Sequence, residues 1–194
     1  MTGGGPGTGG GTAMGGGGGT AAFDIGLEYE CGKVTPCGGQ STGTWNYEHV
    51  CFSLAAMGAT AECLVEPSAV IGTGSGTLTI TANSVVQDVQ WSGTALVPQS
   101  CAPNGTEPGL ACLVIGVGLG LFGMSAACLD LGATGCFCEI SYSAKGTSGI
   151  GAGPDTFQLT EKGSTKTYSF CIRNGSFQYQ DSGKSRGAIF TVKP

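Results

Sequence analysis

Thr167-Tyr-Ser-Phe-Cys-Ile-Arg-Asn-Gly-Ser-Phe-Gln-Tyr-Gln180 is the stretch of sequence that decides the fold class. Apolar and polar side chains alternate on both sides of Asn174-Gly175, with the period of two that is typical of a half-buried β-strand. Asn-Gly between two alternating runs is the strongest short-range signal of a β-hairpin, because both turn residues need a positive φ. The stretch therefore predicts two antiparallel strands joined by a two-residue turn.

Alternation continues on both sides of this hairpin. Further alternating runs cover 44–52, 77–81, 85–91 and 188–192. Many short strands at a spacing of about ten residues indicate a sandwich or a barrel. We therefore predict an all-β fold, an antiparallel barrel, with a β-sandwich as the alternative.

Residues 110–127, with the sequence LACLVIGVGLGLFGMSAA, break this pattern and contain no charged residue. Eighteen apolar residues are just long enough to span a membrane, but the stretch contains interior glycines and two flanking cysteines. A continuous helix would hold Cys112 and Cys128 about 24 Å apart, too far for a disulfide, which needs Cα atoms within about 7 Å. We predict a short helical or hairpin insertion near 109–127 that fills the barrel, with a membrane span or an exposed partner-binding patch as alternatives.

The cysteine content indicates an oxidising compartment. The chain has ten cysteines: Cys31, Cys37, Cys51, Cys63, Cys101, Cys112, Cys128, Cys136, Cys138 and Cys171. Disulfides persist in exported proteins, whereas zinc sites usually show paired C-x2–4-C motifs or several histidines. Here the one close pair is Cys136-x-Cys138 and the one histidine is His49, so we expect disulfides, no metal and no cofactor.

Local spacing suggests particular cysteine pairings. We predict Cys31–Cys37 and Cys51–Cys63, and Cys171 with either Cys136 or Cys138. In a strand, Cys136 and Cys138 point to the same face, and each is expected to bond a different partner strand.

The composition argues against nucleic-acid binding and indicates a domain on a flexible tether. Only 11% of residues are charged and the eight Lys and Arg residues are scattered, whereas a phosphate-binding surface needs clustered basic residues. Residues 3–19 are nearly all glycine, and such a segment cannot bury enough apolar surface to order itself. We expect a flexible tether over 1–22 and one disulfide-stabilised β-domain over 23–194, with an export signal upstream of residue 1.

Several short motifs resemble bacterial lipocalin-like lipoproteins of the cell envelope. They lie at 37–45, 76–80, 98–101, 135–138 and 168–175. Gly43-Thr-Trp45 is similar to the G-x-W motif that opens the first lipocalin strand, where the Trp packs against an Arg; Arg186 is the candidate here. The resemblance implies a disulfide-held antiparallel barrel behind a low-complexity tether, lipid anchoring upstream of residue 1, and location at the outer membrane, periplasm or cell surface.

The residues available for catalysis are few. A Ser–His mechanism would have to use His49, no G-x-S-x-G elbow occurs, and solvated strand faces explain carboxylates such as Glu28 and Glu30. We therefore predict no enzyme, and a hydrolase ranks third among the functions. The leading prediction is an exported binding module for a small apolar ligand; the alternative is a structural surface protein that self-assembles or docks a protein partner. The candidate ligand-binding residues are Trp45, Tyr47, His49, Trp91, Phe170 and Tyr179.

Overall fold

The computed structural model describes residues 22–149, 154–161, 163–183 and 187–194. The predicted tether and Arg186 lie outside these residues, apart from Ala22. The strands are β1 (Asp24–Glu28), β2 (Gly43–Ser53), β3 (Val70–Ile80), β4 (Val85–Val97), β5 (Met124–Asp130), β6 (Cys136–Ser148), β7 (Thr156–Glu161), β8 (Ser164–Arg173), β9 (Ser176–Asp181) and β10 (Ile189–Lys193). One α-helix, α1 (Ala111–Gly120), and short 3-10 turns at Leu54–Met57, Pro67–Ala69, Gln99–Cys101, Pro108–Leu110 and Gly132–Thr134 complete the described elements.

The strands form one sheet that curls into a half-barrel. The order is β5-β6-β4-β3-β2-β10-β9-β8-β7, with β1 added beside β2. The predicted hairpin is confirmed: Ile172 pairs with Phe177 and Arg173 with Ser176, and the turn residues Asn174 and Gly175 have φ of 52° and 74°. The prediction of an all-β, mainly antiparallel fold is therefore confirmed.

β1 fills a gap in the sheet. β2 pairs with β3 only over Gly43–Asn46, and β1 then pairs with β2 in parallel, from Asp24 opposite His49 to Glu28 opposite Ser53. The Phe23 amide donates a 3.1 Å hydrogen bond to the Gly74 carbonyl of β3. The first strand is thus held between two strands that have diverged.

Glycines on β3 make room for aromatic rings. An alanine Cβ at Gly74 would lie 2.4 Å from Phe23 Cε1 and 2.6 Å from Trp91 Cδ1, and both of those side chains are buried. A Cβ at Gly72 would lie 2.2 Å from Trp91 Cζ2. The two rings therefore lie directly on the β3 backbone, which requires residues without side chains.

The apolar insertion forms α1 and the first part of β5. Ile115 and Leu119 of α1 are buried in the core, and the Cys112–Cys136 disulfide ties the helix to β6. The opposite side of the helix is exposed, with Leu113 64%, Val117 62% and nearby Leu121 69% accessible. One helix thus both packs into the core and presents an apolar surface.

None of the helices in the described part of the chain combines the length and the apolar character that crossing a membrane requires.

Ten cysteines form five disulfides: Cys31–Cys51, Cys37–Cys171, Cys63–Cys101, Cys112–Cys136 and Cys128–Cys138. The predicted disulfides are confirmed, but the predicted pairings Cys31–Cys37, Cys51–Cys63 and Cys171 with Cys136 or Cys138 are wrong. Tertiary packing, not nearness in sequence, brings the sulfurs together: Cys63 and Cys101 lie outside the strands, and Cys112 lies on α1.

The Cys128–Cys138 pair shows the effect of register. These residues face each other directly across β5 and β6. Cys136, two residues earlier, bonds Cys112 of α1 instead. The two cysteines of the C-x-C motif therefore bond different elements, as expected, although one of these is a helix rather than a strand.

Candidate functional site

Trp45 and Phe170, two of the predicted ligand-binding residues, belong to the aromatic core. Both side chains are buried. Each ring packs against Phe177, with centroid distances of 5.2 Å for Trp45 and 5.1 Å for Phe170. The Trp45 indole N–H donates a 2.8 Å hydrogen bond to the carbonyl oxygen of Ser41. Trp45 therefore contributes packing to the aromatic core, and its one polar group is satisfied by the backbone.

Tyr47 and Tyr179 form a polar cluster inside the half-barrel. Their hydroxyls hydrogen-bond to each other, and the Gln87 amide donates to both, at 2.7 Å and 3.2 Å. Burial raises the pKa of both tyrosines above the usual value, so both stay neutral at physiological pH. The cluster satisfies the hydroxyls of two fully buried rings, which would otherwise cost free energy.

Trp91, a third predicted residue, lies on the β3 glycines. Its ring is 3% exposed, and its indole nitrogen is fully buried without a hydrogen-bond partner among the described residues. The side chain contributes packing between β3 and β4.

His49 lies on the strand pair β1–β2. Its Nδ1 is 2.9 Å from an Asp24 carboxylate oxygen. Ligand atoms of Glu28, His49 and Cys51 lie within 4.8 Å of one another, but Cys51 is bonded to Cys31 and offers no thiolate. We therefore assign no metal to this group.

A cleft of about 380 Å³ opens at one end of the half-barrel. We call it the mouth cleft. Five aromatic side chains line it: Phe52, Phe122, Tyr142, Tyr168 and Phe190. None of the six residues predicted to bind a ligand is among its lining residues. The volume lies within the range of roughly 300–1,000 Å³ that is typical of small-molecule sites.

Strand lengths determine where the mouth cleft lies. β5 pairs with β6 only over Cys136–Tyr142, and the rest of β6 approaches β7. There the Thr160 hydroxyl donates a 3.5 Å hydrogen bond to Ser148, and a Cβ at Gly146 would lie 3.2 Å from the Thr160 carbonyl oxygen. Beside this contact between β6 and β7 the sheet leaves a gap, which is bordered by α1, β6 and β8.

Tyr142 and Tyr168 bring hydroxyls to the cleft. Their side chains are only 7% and 5% exposed, and neither hydroxyl hydrogen-bonds to another described residue. The fully buried unpartnered polar atoms among the described residues belong to Gln87, Trp91 and Gln180. The two tyrosine hydroxyls are not among them, and both residues line the cleft.

Charged side chains stand around these rings. Glu161 of β7 and Asp181 of β9 line the cleft together with Lys145 and Lys166. Lys145 forms a 3.0 Å ion pair with Asp88. The cleft thus combines an apolar aromatic wall with a few polar and charged groups, as ligand sites generally do.

Sequence reasoning missed the cleft residues for a clear reason. They come from strands and loops that are far apart in the chain, and the alternation pattern groups side chains by strand face without telling which face points inward. The Asn-Gly turn and the alternation predict which consecutive strands pair with each other. The position of the cleft depends instead on how the whole sheet curls.

Comparisons with protein-family models, with curated proteins and with solved structures found no match. The five disulfides indicate an oxidising, extracellular environment for this chain.

Proposed function

We propose that this chain is an exported, non-enzymatic binding protein that holds a small, largely apolar ligand in the mouth cleft. The observation that carries the proposal is the cleft itself, where five aromatic rings surround about 380 Å³. Two tyrosine hydroxyls without partners among the described residues supply polar contacts. Apolar walls with few convergent polar groups are the usual composition of a small-molecule site.

Disulfides support this proposal, because they prepare the site before the ligand arrives. Cys112–Cys136 holds α1 on β6, and α1 is followed directly by the cleft residues 121–123. A preorganised site loses less conformational freedom on binding. We further propose a cell-envelope location, which the five disulfides support because disulfides persist in oxidising compartments.

A neutral fluorescent probe tests the proposed site. N-phenyl-1-naphthylamine is expected to bind the wild-type protein with increased emission, because its rings are apolar and fit the cleft. Ser164→Trp, at an exposed position that lines the cleft, is expected to weaken binding at least tenfold by filling the space.

The matched control for this test is Ser125→Trp. Ser125 is also an exposed strand serine but does not line the cleft, so this variant is expected to bind the probe like wild type. Absence of binding to wild type, or equal binding by S164W and wild type, would contradict the proposed site.

A second candidate function is self-assembly through α1. Leu110, Leu113, Val117 and Leu121 are exposed, and their spacing of three or four residues places them on one helix face. We call them the α1 stripe. It carries no charged group that would select an unlike partner, so the occupant we propose is the same stripe of a second copy.

The α1 stripe predicts weak, concentration-dependent dimers. Four side chains cover less than the roughly 800 Å² per partner of a standard interface. Sedimentation velocity from about 10 μM to 1 mM is expected to show association that Leu113→Gln with Val117→Gln abolishes. Neither residue lines the cleft, so probe binding should persist in this variant. A wild-type monomer at the highest concentration would exclude this function.

A further inference from the structure

We propose that the mouth cleft selects an organic cation, a protonated or quaternary amine attached to an apolar body. This inference rests on the proposed function and names the ligand class for the same site.

The aromatic rings that line the cleft supply the first part of the argument. The Phe52 ring lies 5.9 Å from the Phe122 ring and 5.5 Å from the Tyr142 ring, centroid to centroid. Tyr168 and Phe190 pack together at 6.5 Å. Rings grouped around one cavity can attract a cation through their electron-rich faces, and this attraction is stronger when the cation is partly removed from water.

Two carboxylates supply the second part. Glu161 and Asp181 both line the cleft, and among the described residues neither forms an ion pair with a lysine or arginine. The Gly183 amide donates a 2.9 Å hydrogen bond to Asp181 Oδ1, which orients this carboxylate. Burial raises the pKa of Tyr168, and the Glu161 and Asp181 charges raise it further, so both carboxylates act electrostatically on the cleft.

The end of α1 supplies a third electronegative group. Gly120, the last helical residue, and residues 121–123 line the cleft. The C-terminus of a helix carries partial negative charge, and cations are stabilised there. The carbonyls of Gly118, Leu119 and Gly120 accept hydrogen bonds from residues 121–123, so this contribution is smaller than that of the two carboxylates.

The lysines that line the cleft do not cancel the negative charge of the two carboxylates. Lys145 is paired with Asp88 at 3.0 Å, which leaves Lys166 as the unpaired lysine among the described residues that line the cleft. Counted over the described lining residues, two carboxylates stand against one unpaired lysine, so these residues together carry a net negative charge. The chain as a whole also has a formal charge of −5, which favours the approach of cations.

An uncharged isostere isolates the charge in the ligand. Choline and 3,3-dimethylbutan-1-ol have nearly the same shape and differ by one positive charge. Calorimetric titration of the whole protein at low ionic strength is expected to show choline binding at least tenfold more tightly. Glu161→Gln is expected to weaken choline binding at least threefold, whereas Lys166→Gln should leave it equal or tighter, because a repelling charge is removed.

Glycine betaine distinguishes a zwitterion site from a cation site, because its added carboxylate would need Lys166. The cation proposal expects betaine to bind no more tightly than choline. Betaine that binds more tightly and loses this advantage in K166Q would overturn it, as would equal binding of choline and its isostere. In either case, naphthylamine binding that S164W blocks would show that the proposed function stands and only the ligand class is wrong. Absence of all binding would remove both.

Discussion

Replacing Cys37 and Cys171 together by alanine is expected to lower the free energy of unfolding by about 5 kcal/mol. The two residues are 134 apart in sequence, and in the chain-entropy description a disulfide that closes so long a loop restricts the unfolded chain most. The bond also attaches the loop between β1 and β2 to β8. Beside it, the Ile172 amide of β8 donates a 2.9 Å hydrogen bond to the Gly38 carbonyl of that loop.

The matched comparison is the Cys31–Cys51 pair, which are only 20 residues apart. Its double alanine variant is expected to lose about 3 kcal/mol. Cys37 is exposed whereas Cys51 is buried, so lost packing alone would give the opposite order. Urea unfolding of both variants measures the two losses, and a larger loss for Cys31–Cys51 would contradict the entropic explanation.

Gly74→Ala is expected to destabilise the protein by about 3 kcal/mol. The added Cβ would lie 2.4 Å and 2.6 Å from atoms of Phe23 and Trp91. Both rings are buried, so neither can move aside without disturbing the core. The loss should exceed the small gain that alanine normally brings over glycine in a strand interior.

The control for Gly74→Ala is Ser75→Ala, the next residue on β3. Ser75 has the opposite side-chain direction, and the change should alter stability by less than about 0.5 kcal/mol. Urea unfolding with all disulfides intact gives both values. Equal stability of G74A and wild type would show that the rings do not lie on the β3 backbone.

The sequence predicted those parts of the fold that depend on local pattern. Asn174-Gly175 and the alternation around it identified β8, β9 and their turn, because turn conformation and side-chain direction are set by neighbouring residues. The apolar stretch at 110–127 was predicted as an insertion, and α1 with the start of β5 occupies it.

Long-range features were beyond the same reasoning. The pairing of Cys37 with Cys171 depends on a connection that crosses to β8, and no local spacing encodes it. The candidate ligand residues were aromatic and histidine side chains on predicted strands, and alternation alone does not tell which face of a strand points into a barrel. Trp45, Tyr47 and Tyr179 are buried in the structure. Whether they contact a ligand stays a prediction. The aromatic side chains that line the mouth cleft are different ones, and they include Tyr142 and Tyr168.

Amide chemical-shift mapping tests the central claim, binding at the mouth cleft, most directly. Titration of ¹⁵N-labelled protein with N-phenyl-1-naphthylamine should shift the amides of Phe122, Ala144 and Lys166, which line the cleft. Amides of Ser92 and Ser141, which face each other on β4 and β6 and are exposed, should stay unchanged. Shifts confined to Ser92 and Ser141, or no shifts at saturating probe, would contradict the account.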